Sequence, residues 1–229
     1  MKFESRRIRS ARATPGYEPH KRLPVDQAVA LLGRFPKAKF DETVELAVRL
    51  GVDPKKSDQI VRGSVSLPKG IGKQRTVVVF AEGDAAREAL EAGADMVGTD
   101  DLAKKIAEGW TAFDVCIAHP SMMRHVGKLG KVLGPTGKMP SPKSGTVTDK
   151  VAQAVREFKA GKVEFRADAG GNVHVSVGKR SFQDAELVAN ISHMIDHLRA
   201  VKPAAVKGVY FRKVSLCSTM SPGLALDVV

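Results

Sequence analysis

The hydrophobic pattern changes twice along this chain, and that change constrains the fold more than any other feature. Residues 76–80 (TVVVF) form a continuous β-branched run, which is typical of a strand covered on both faces. Residues 81–94 then show a helical pattern, and residues 95–98 form a short apolar step. A second helical pattern covers residues 100–110, and another buried strand covers residues 113–120. Strands and helices that alternate over short links predict a parallel α/β unit. We expect it to end with a helix over residues 148–161, with Gly161 as the stop.

The two ends of the chain show strict alternation instead. Residues 42–52 (ETVELAVRLGV) read as a strand with one buried face, formed by Val44, Leu46, Val48 and Leu50. Residues 59–68 and 206–219 predict further strands. Residues 163–178 predict a hairpin, because two alternating runs flank the turn signal Gly170-Gly171-Asn172.

Two helical patterns accompany these strands. The first covers residues 24–35, and the second follows Ser181, which forms a capping-box pattern with Asp184. The second helix ends before Pro203, and its apolar face consists of Val188, Ile191, Ile195 and Leu198. Neither end of the chain has a sufficient core alone, so we expect the two ends to fold together.

The predicted fold class is therefore mixed, α/β and α+β. A split two-layer α+β domain consists of residues 1–68 and 160–229, and residues 69–159 form an inserted parallel α/β domain. Two chain crossings between the domains would permit hinge motion. This hypothesis fails if solution scattering and interdomain distance probes show one rigid arrangement, free and bound.

The charge of the chain indicates a polyanionic partner. The formal net charge is +12, the sequence pI is about 9.8, and residues 1–68 with 159–229 carry 10 of the 12 charges. An anionic membrane is the rival partner, but no apolar run reaches the ~18–20 residues of a spanning helix. The N-terminus lacks the apolar core of a secretory signal. Its arginines leave a transit peptide open, against which Glu4 and Glu18 count; we expect a cytoplasmic protein without membrane contact.

Residues 127–147 (GKLGKVLGPTGKMPSPKSGTV) concentrate positive charge in a turn-rich segment. They hold five glycines, three prolines and four lysines, and no acid. The phosphate loop of nucleotide hydrolases does not match, because Met139 follows Lys138 where a hydroxyl is needed and Val132 replaces the first glycine. The strand at residues 76–80 also lacks a GxGxxG turn. The segment is either a contact with a nucleic-acid backbone or a solvated loop.

No set of side chains in the sequence indicates catalysis or metal binding. Cys116 and Cys217 lie in apolar runs without a CxxC pair, which favours two reduced thiols over a disulfide or a zinc site. His193 and His197 are four residues apart on a helix, but no third ligand is evident. We expect neither cofactor nor metal nor enzymatic activity. The alternative is a nucleotide-binding enzyme that uses the inserted α/β domain, which equilibrium dialysis with ATP, GTP and NAD would reveal.

The scarcity of aromatic residues narrows the kind of nucleic acid. Aromatic side chains make up 5% of the chain, which argues against a stacking single-strand binder and favours folded, double-helical RNA. Phe40, beside Lys37 and Lys39, is either a core residue or an exposed stacking platform. Residues 218–223 (STMSPG) are either an ordinary turn or a compact contact surface whose hydroxyls and Met meet RNA.

These segments together resemble the large-subunit ribosomal protein L-one family, of bacterial type. The resemblance covers nearly the whole chain from about Lys21. It is carried by residues 127–147 and by three further segments in the expected order, KFDETVELAVRLGVDPKKSDQIVRGSVSLPKGIGK, VEFRADAGGNVHVSVGKRSF and VYFRKVSLCSTMSPG. It implies a split first domain, a Rossmann-like second domain and a place on the mobile stalk beside the tRNA exit site.

The resemblance also implies partners. They are the stalk of the large-subunit rRNA, the exit-site tRNA whose release is coupled to stalk movement, and the protein's own operon mRNA, which family members repress. The protein is expected to be associated with the ribosome and to be a monomer when free.

Residues matching the family's RNA surface lie on the split domain. They are Phe40, Thr43, Glu45, His174, Ser176, Lys179, Ser218, Thr219 and Met220, to which we add Lys39 and Arg166 on charge. Lys128, Lys131, Lys138 and Lys143 are expected to form a secondary contact with rRNA or tRNA. One departure stands out, since Ser221 occupies a position where the family usually has Gly. If that position needs a positive φ or a close RNA approach, Ser would cost about 1 kcal/mol or crowd the contact.

Overall fold

The computed structural model of the chain describes residues 5–228 and shows a mixed α/β protein. The helices are α1 Arg6–Arg12, α2 Val25–Arg34, α3 Gly83–Glu91, α4 Asp100–Ala107, α5 Met123–Lys128, α6 Gly130–Leu133, α7 Val151–Ala160 and α8 Asp184–Ala200. The strands are β1 Arg22–Leu23, β2 Thr43–Leu50, β3 Arg62–Ser66, β4 Val77–Phe80, β5 Met96–Gly98, β6 Val115–Ala118, β7 Lys162–Arg166, β8 Asn172–Lys179, β9 Phe211–Ser218 and β10 Leu224–Leu226. The chain divides into two compact units, one of the described residues up to Gly72 and from Val163 onward, the other of Lys73–Lys162.

The first unit is built on a five-stranded sheet in the order β1-β10-β9-β2-β8. The central strand β2 is antiparallel to both β8 and β9. The predicted alternation of β2 is confirmed, because Val44, Leu46, Val48 and Leu50 are all at most 2% exposed. They belong to one apolar core with residues of α2 and α8, such as Leu32 and Ile191.

The opposite side of this sheet carries the alternate residues of each strand, which are partly or fully exposed. We call this side the polar sheet face, formed by Thr43, Glu45, Ala47 and Arg49 of β2, His174 and Ser176 of β8, and Lys213, Ser215 and Cys217 of β9. Cross-strand pairing aligns these residues in rows, for example His174, Ala47 and Ser215. The rows place small and polar side chains side by side across three strands.

The predicted hairpin of β7 and β8 is wrong. β7 pairs with β3 in a separate two-stranded sheet, whereas β8 pairs with β2. The turn between them does form, because the Asp168 carboxylate accepts hydrogen bonds from the N–H groups of Gly170 and Asn172, each at 2.8 Å. The turn signal was therefore sound, but the strands leaving the turn find other partners.

Helix α8 begins later than predicted. Gln183 is its N-cap, and the capping box is formed by Gln183 and Glu186 rather than by Ser181 and Asp184. Ser181 is unavailable because its hydroxyl donates to the carboxylate of Asp41 at 2.8 Å. A long-range partner has thus displaced the local cap.

The N-terminal segment is also ordered. A basic arm such as Arg6–Arg12 is expected to be disordered until RNA binds, but these residues form helix α1, which is capped by Ser5, and Ala11 is buried in the core of the first unit. The short strands β1 and β10 extend the sheet on this side and carry no clear pattern in the sequence.

The second unit has a parallel sheet in the order β5-β4-β6. Every residue of β4 and β6 is buried, and apolar clusters cover the two sides, one including Ile106 and Leu133 and the other Val155 and Phe158. The prediction of a strand covered on both faces at residues 76–80 is therefore confirmed by β4, Val77–Phe80. Helix α7 ends at Gly161, which adopts a left-handed φ of 110°.

No helix within residues 5–228 combines the length and the apolar character needed to span a membrane.

Candidate nucleic-acid interface

Three neighbouring strands of the first unit bring their termini together at one end of the sheet. Thr43 begins β2, Lys179 ends β8, and Thr219 directly follows β9. The Thr219 N–H donates to the Thr43 carbonyl at 3.0 Å, and the Thr43 N–H donates to the Thr219 hydroxyl oxygen at 3.1 Å. The Lys179 ammonium donates to the Thr43 hydroxyl at 2.9 Å. Residues far apart in the chain thus form one connected group.

A buried acid holds this group in place. Glu42 is 1% exposed. Its carboxylate accepts hydrogen bonds from the Ser218 hydroxyl at 2.6 Å, the Ala38 N–H at 2.7 Å and the Met220 N–H at 3.2 Å. We call Glu42, Thr43, Lys179, Arg180, Ser218, Thr219 and Met220 the strand-end cluster. Burial alone would raise the pKa of Glu42, but these hydrogen bonds and the charge of Arg180 lower it below its ordinary value.

Arg180 is the cationic partner of Glu42. Its side chain is 6% exposed, and its guanidinium lies 3.1 Å from the carboxylate. The same guanidinium donates to the carbonyls of Leu32, Phe35 and Pro36, just at and beyond the C-terminal end of α2. A cation is favoured there because the last helical carbonyls lack partners and the helix dipole is negative. Arg180 therefore fixes α2 to the end of β8.

Two apolar side chains of this region are exposed. Phe40 is 55% exposed and Met220 is 45% exposed. Phe40 lines a pocket of about 270 Å³ together with Lys37, Asp41 and Arg180. The loop that carries Phe40 is fixed on both sides, since the Ala38 N–H binds Glu42 and the Asp41 carboxylate binds Ser181. Of the two predicted roles for Phe40, its exposure favours the stacking platform.

The predicted site residues divide into three groups by position. Lys39, Phe40, Thr43, Lys179, Ser218, Thr219 and Met220 lie in or beside the strand-end cluster, whereas Glu45, His174 and Ser176 lie on the polar sheet face. The structure does not bring Arg166 to this edge, because it ends β7 and precedes the turn into the opposite end of β8.

Ser218 has an internal role. Its side chain is 2% exposed, and its hydroxyl donates to Glu42. Ser221 closes the following turn, since its hydroxyl oxygen accepts a hydrogen bond from the Ser218 N–H at 2.8 Å. His20 is the one non-glycine residue with a positive φ in the described chain, so Ser221 has no positive φ. The condition for backbone strain at Ser221 is therefore not met, and the turn accommodates serine.

Sequence reasoning missed Glu42 and Arg180. A signal for Glu42 was present, because it continues the buried alternation of Val44 and Leu46 and so places an acid on the core side of β2. A buried acid requires a cation and hydrogen-bond donors. No comparable signal identifies Arg180, whose partners are backbone carbonyls distant in sequence.

Residues 127–147 of the second unit are more structured than a turn-rich loop. They include the end of α5 and all of α6, which buries Leu133. The Lys138 ammonium donates to the carbonyl of Thr111 at 2.8 Å and to that of Phe113 at 2.5 Å, and lies over the Phe113 ring. Because these contacts hold Lys138 internally, it does not present a free charge to a nucleotide phosphate. Lys128, Lys131 and Lys143 are exposed.

The two cysteines and the histidine pair His193 and His197 lie outside the strand-end cluster. Burial raises the pKa of Cys116 to about 12. Burial, with the charge of Glu45, also raises the pKa of Cys217 above its ordinary value. Both thiols are free; Cys116 is buried as expected, whereas Cys217 is half-buried. His197 packs edge-on against Phe165, with ring centroids 5.6 Å apart, and residues 5–228 contain no group of three metal-binding side chains.

A comparison with protein families places this geometry in context. The model of the ribosomal protein L1p/L10e family matches residues 32–222, which is most of the chain. The matched range contains every residue of the strand-end cluster and residues 127–147 of the second unit.

Proposed function

The chain belongs to the ribosomal protein L1p/L10e family, and we propose that it binds the stalk region of the large-subunit rRNA through the strand-end cluster and the polar sheet face. Membership of this family supports a structural role in the ribosome and rRNA binding, and it does not favour an enzyme. The proposal assigns RNA binding to a discontinuous domain of residues 1–68 and 160–229. Residues 69–159 form the inserted Rossmann-like domain of the proposal.

The observation that carries this proposal is the fixed geometry around Glu42. Its carboxylate joins residues before β2 to residues after β9, and the exposed Phe40, Thr219 and Met220 project from that frame. A site that is rigid before binding loses little conformational entropy when RNA docks. Hydroxyl, thioether and aromatic groups at fixed positions suit a folded RNA, which is recognised by its shape and its 2′-hydroxyls.

Charge provides the sequence-independent part of the affinity in this proposal. Lys39 is exposed beside Phe40, and Lys179 ends β8 at the same edge. Such cations neutralise phosphates and release counterions, so binding weakens as salt rises. The neutral residues of the strand-end cluster contribute affinity that depends little on salt.

We further propose two roles that extend rRNA binding. The exposed Lys128, Lys131 and Lys143 of the second unit contact rRNA or the exit-site tRNA during tRNA release. The same strand-end cluster binds an rRNA-like site in the protein's own operon mRNA and represses its translation. This second role predicts that a stalk rRNA fragment and the mRNA leader compete for one site.

The test is a binding experiment across a salt series. Affinity for a stalk rRNA fragment is measured against a scrambled duplex of equal length and charge, with wild-type protein. A preference for the stalk RNA of about 10³-fold or more, within the range of specific nucleic-acid binding, supports the proposal. Equal affinity for both RNAs at physiological salt would leave only generic polyanion binding and reject it.

A further inference from the structure

Two adjoining cavities lie beside strands β1, β10 and β9 of the five-stranded sheet, and their described lining includes no residue of the strand-end cluster. They have volumes of about 210 Å³ and 340 Å³. His20, Lys213 and Ala225 line both, so the two form one continuous depression, which we call the N-terminal groove. Its walls are the segment between α1 and β1 on one side and the strands β9 and β10 on the other.

The N-terminal groove is strongly cationic. Its described lining residues include Arg12, His20, Arg22, Arg212 and Lys213, and none of the described residues that line either cavity is acidic. Among the described residues, no ion pair or hydrogen bond engages the side chains of Arg22 and Lys213. Like charges brought together without acids repel one another, so their convergence costs free energy unless an anion is bound.

The backbone of the groove wall is held in a strained conformation. His20 has a φ of 70°, which costs a non-glycine residue free energy and is retained where the surroundings or a function require it. The segment is anchored on its inner side, because the Tyr17 ring packs edge-on against Phe35 with centroids 5.8 Å apart. The anchored segment therefore directs His20 toward the groove.

The groove is continuous with the polar sheet face. Ser215 and Ala225 line the groove and pair with each other across β9 and β10. Ser215 also pairs with Ala47, which pairs with His174 on β8. Five strands at a spacing of about 4.8 Å make this row roughly 19 Å wide, which is long enough to follow several consecutive phosphates of a nucleic acid.

We propose that the N-terminal groove binds the phosphodiester backbone of the RNA that docks on the polar sheet face. This inference rests on the proposed function, because it requires RNA on that face. The guanidinium of Arg22 can donate two parallel hydrogen bonds to one phosphate, and the ammonium of Lys213 acts as a compact positive charge. They add affinity without reading sequence, and they extend the footprint to the segment that precedes β1.

The test uses two double variants of the full-length chain. The first, Arg22→Gln with Lys213→Gln, removes two charges from the groove; the control, Lys55→Gln with Lys56→Gln, removes two exposed charges that line none of the groove. Because each neutralised phosphate contributes about 0.7–0.9 to the slope of log K against log salt, the groove variant should reduce that slope by about 1.5. Its affinity for the stalk fragment should fall roughly tenfold or more at 0.1 M salt, whereas the control should keep the wild-type slope.

A second measurement is independent of folding of the variants. Acetylation of lysines in the wild-type protein by an N-hydroxysuccinimide ester is followed by mass spectrometry, with and without the stalk fragment. Lys213 should be protected by RNA, and Lys55 and Lys56 should react at unchanged rates. Equal salt slopes for the two double variants, with a wild-type protein that still prefers stalk RNA, would overturn the groove proposal alone. Unprotected Lys213 would overturn the groove proposal and would also count against RNA on the polar sheet face, to which Lys213 belongs. Loss of that preference in wild type would instead reject the proposed function.

Discussion

The Glu42 carboxylate accepts a 2.6 Å hydrogen bond from the Ser218 hydroxyl, across 176 positions of sequence. This contact joins the start of β2 to the end of β9, and Arg180 completes it from the end of β8. Three strand ends are thereby fixed by one buried acid. The exposed residues proposed to meet RNA depend on this internal arrangement for their positions.

Removal of the Glu42 charge should destabilise the first unit. Glu42→Gln leaves the guanidinium of Arg180, 6% exposed, without its carboxylate, and breaking such a buried pair costs about 3 kcal/mol of unfolding free energy. Urea denaturation followed by far-ultraviolet circular dichroism measures the change. The matched control is Glu18→Gln, whose carboxylate forms an exposed ion pair with Lys21 and should leave stability unchanged. Equal stability of both variants would show that Glu42 does not hold the cluster.

The stabilisation by Glu42 should depend on pH in one direction. Its pKa is lowered from the ordinary value of 4.5 by hydrogen bonds and Arg180, which outweigh the opposing effect of burial. Its contribution is therefore complete above pH 4.5 and is lost as pH falls through the lower pKa of the folded state. The difference in unfolding free energy between wild type and Glu42→Gln should shrink below about pH 4.5. A difference that stays constant from neutral pH to pH 3 would contradict the assignment.

Ser221 should stabilise its turn rather than strain it. Ser221→Ala removes the acceptor of the Ser218 N–H and should lower the unfolding free energy by about 1 kcal/mol. Ser221→Gly should lower it further, because glycine also adds chain entropy to the unfolded state. Thermal unfolding of the two variants against wild type decides the point. A glycine variant more stable than wild type would mean that Ser221 is strained.

Substitution of Lys138 should destabilise the second unit, whereas substitution of the exposed Lys131 should not. Lys138→Met deprives the carbonyls of Thr111 and Phe113 of a charged donor, at a cost of about 1–3 kcal/mol. Trp110, the single tryptophan, lies 5.3 Å from the Phe113 ring, so its fluorescence reports unfolding of the second unit. Lys131→Met, at an exposed position, is the matched control. If both variants unfold at the wild-type urea concentration, the internal role of Lys138 is refuted.

Local patterns in the sequence predicted the elements better than their partners. The alternation of β2 and the buried run of β4 follow from side-chain period and composition, and both are confirmed. The hairpin failed because strand pairing is decided by long-range packing, which sent β7 to β3 and β8 to β2. The start of α8 failed for a similar reason, since Asp41 engages Ser181.

The resemblance predicted the exposed residues of the candidate site, but it did not predict the buried residues that hold them in place. Phe40, Thr219 and Met220 are exposed at one edge of the first unit. The Ser218 hydroxyl is buried and donates a hydrogen bond to Glu42 instead of being exposed to RNA. The period of β9 places Ser218 on the buried side with Val214 and Leu216, but it does not determine the side-chain directions of Thr219 and Met220, which follow the strand.

The most direct test of the central claim is the affinity of Thr219 variants for a stalk rRNA fragment over a salt series. Thr219 is exposed, and its hydroxyl is positioned by the backbone of Thr43. Thr219→Ala should weaken binding about tenfold, equivalent to ~1.4 kcal/mol, with the wild-type salt slope, while Thr219→Ser should retain most of the affinity. If Thr219→Ala binds as wild type does, the strand-end cluster does not recognise the RNA and the central claim is contradicted.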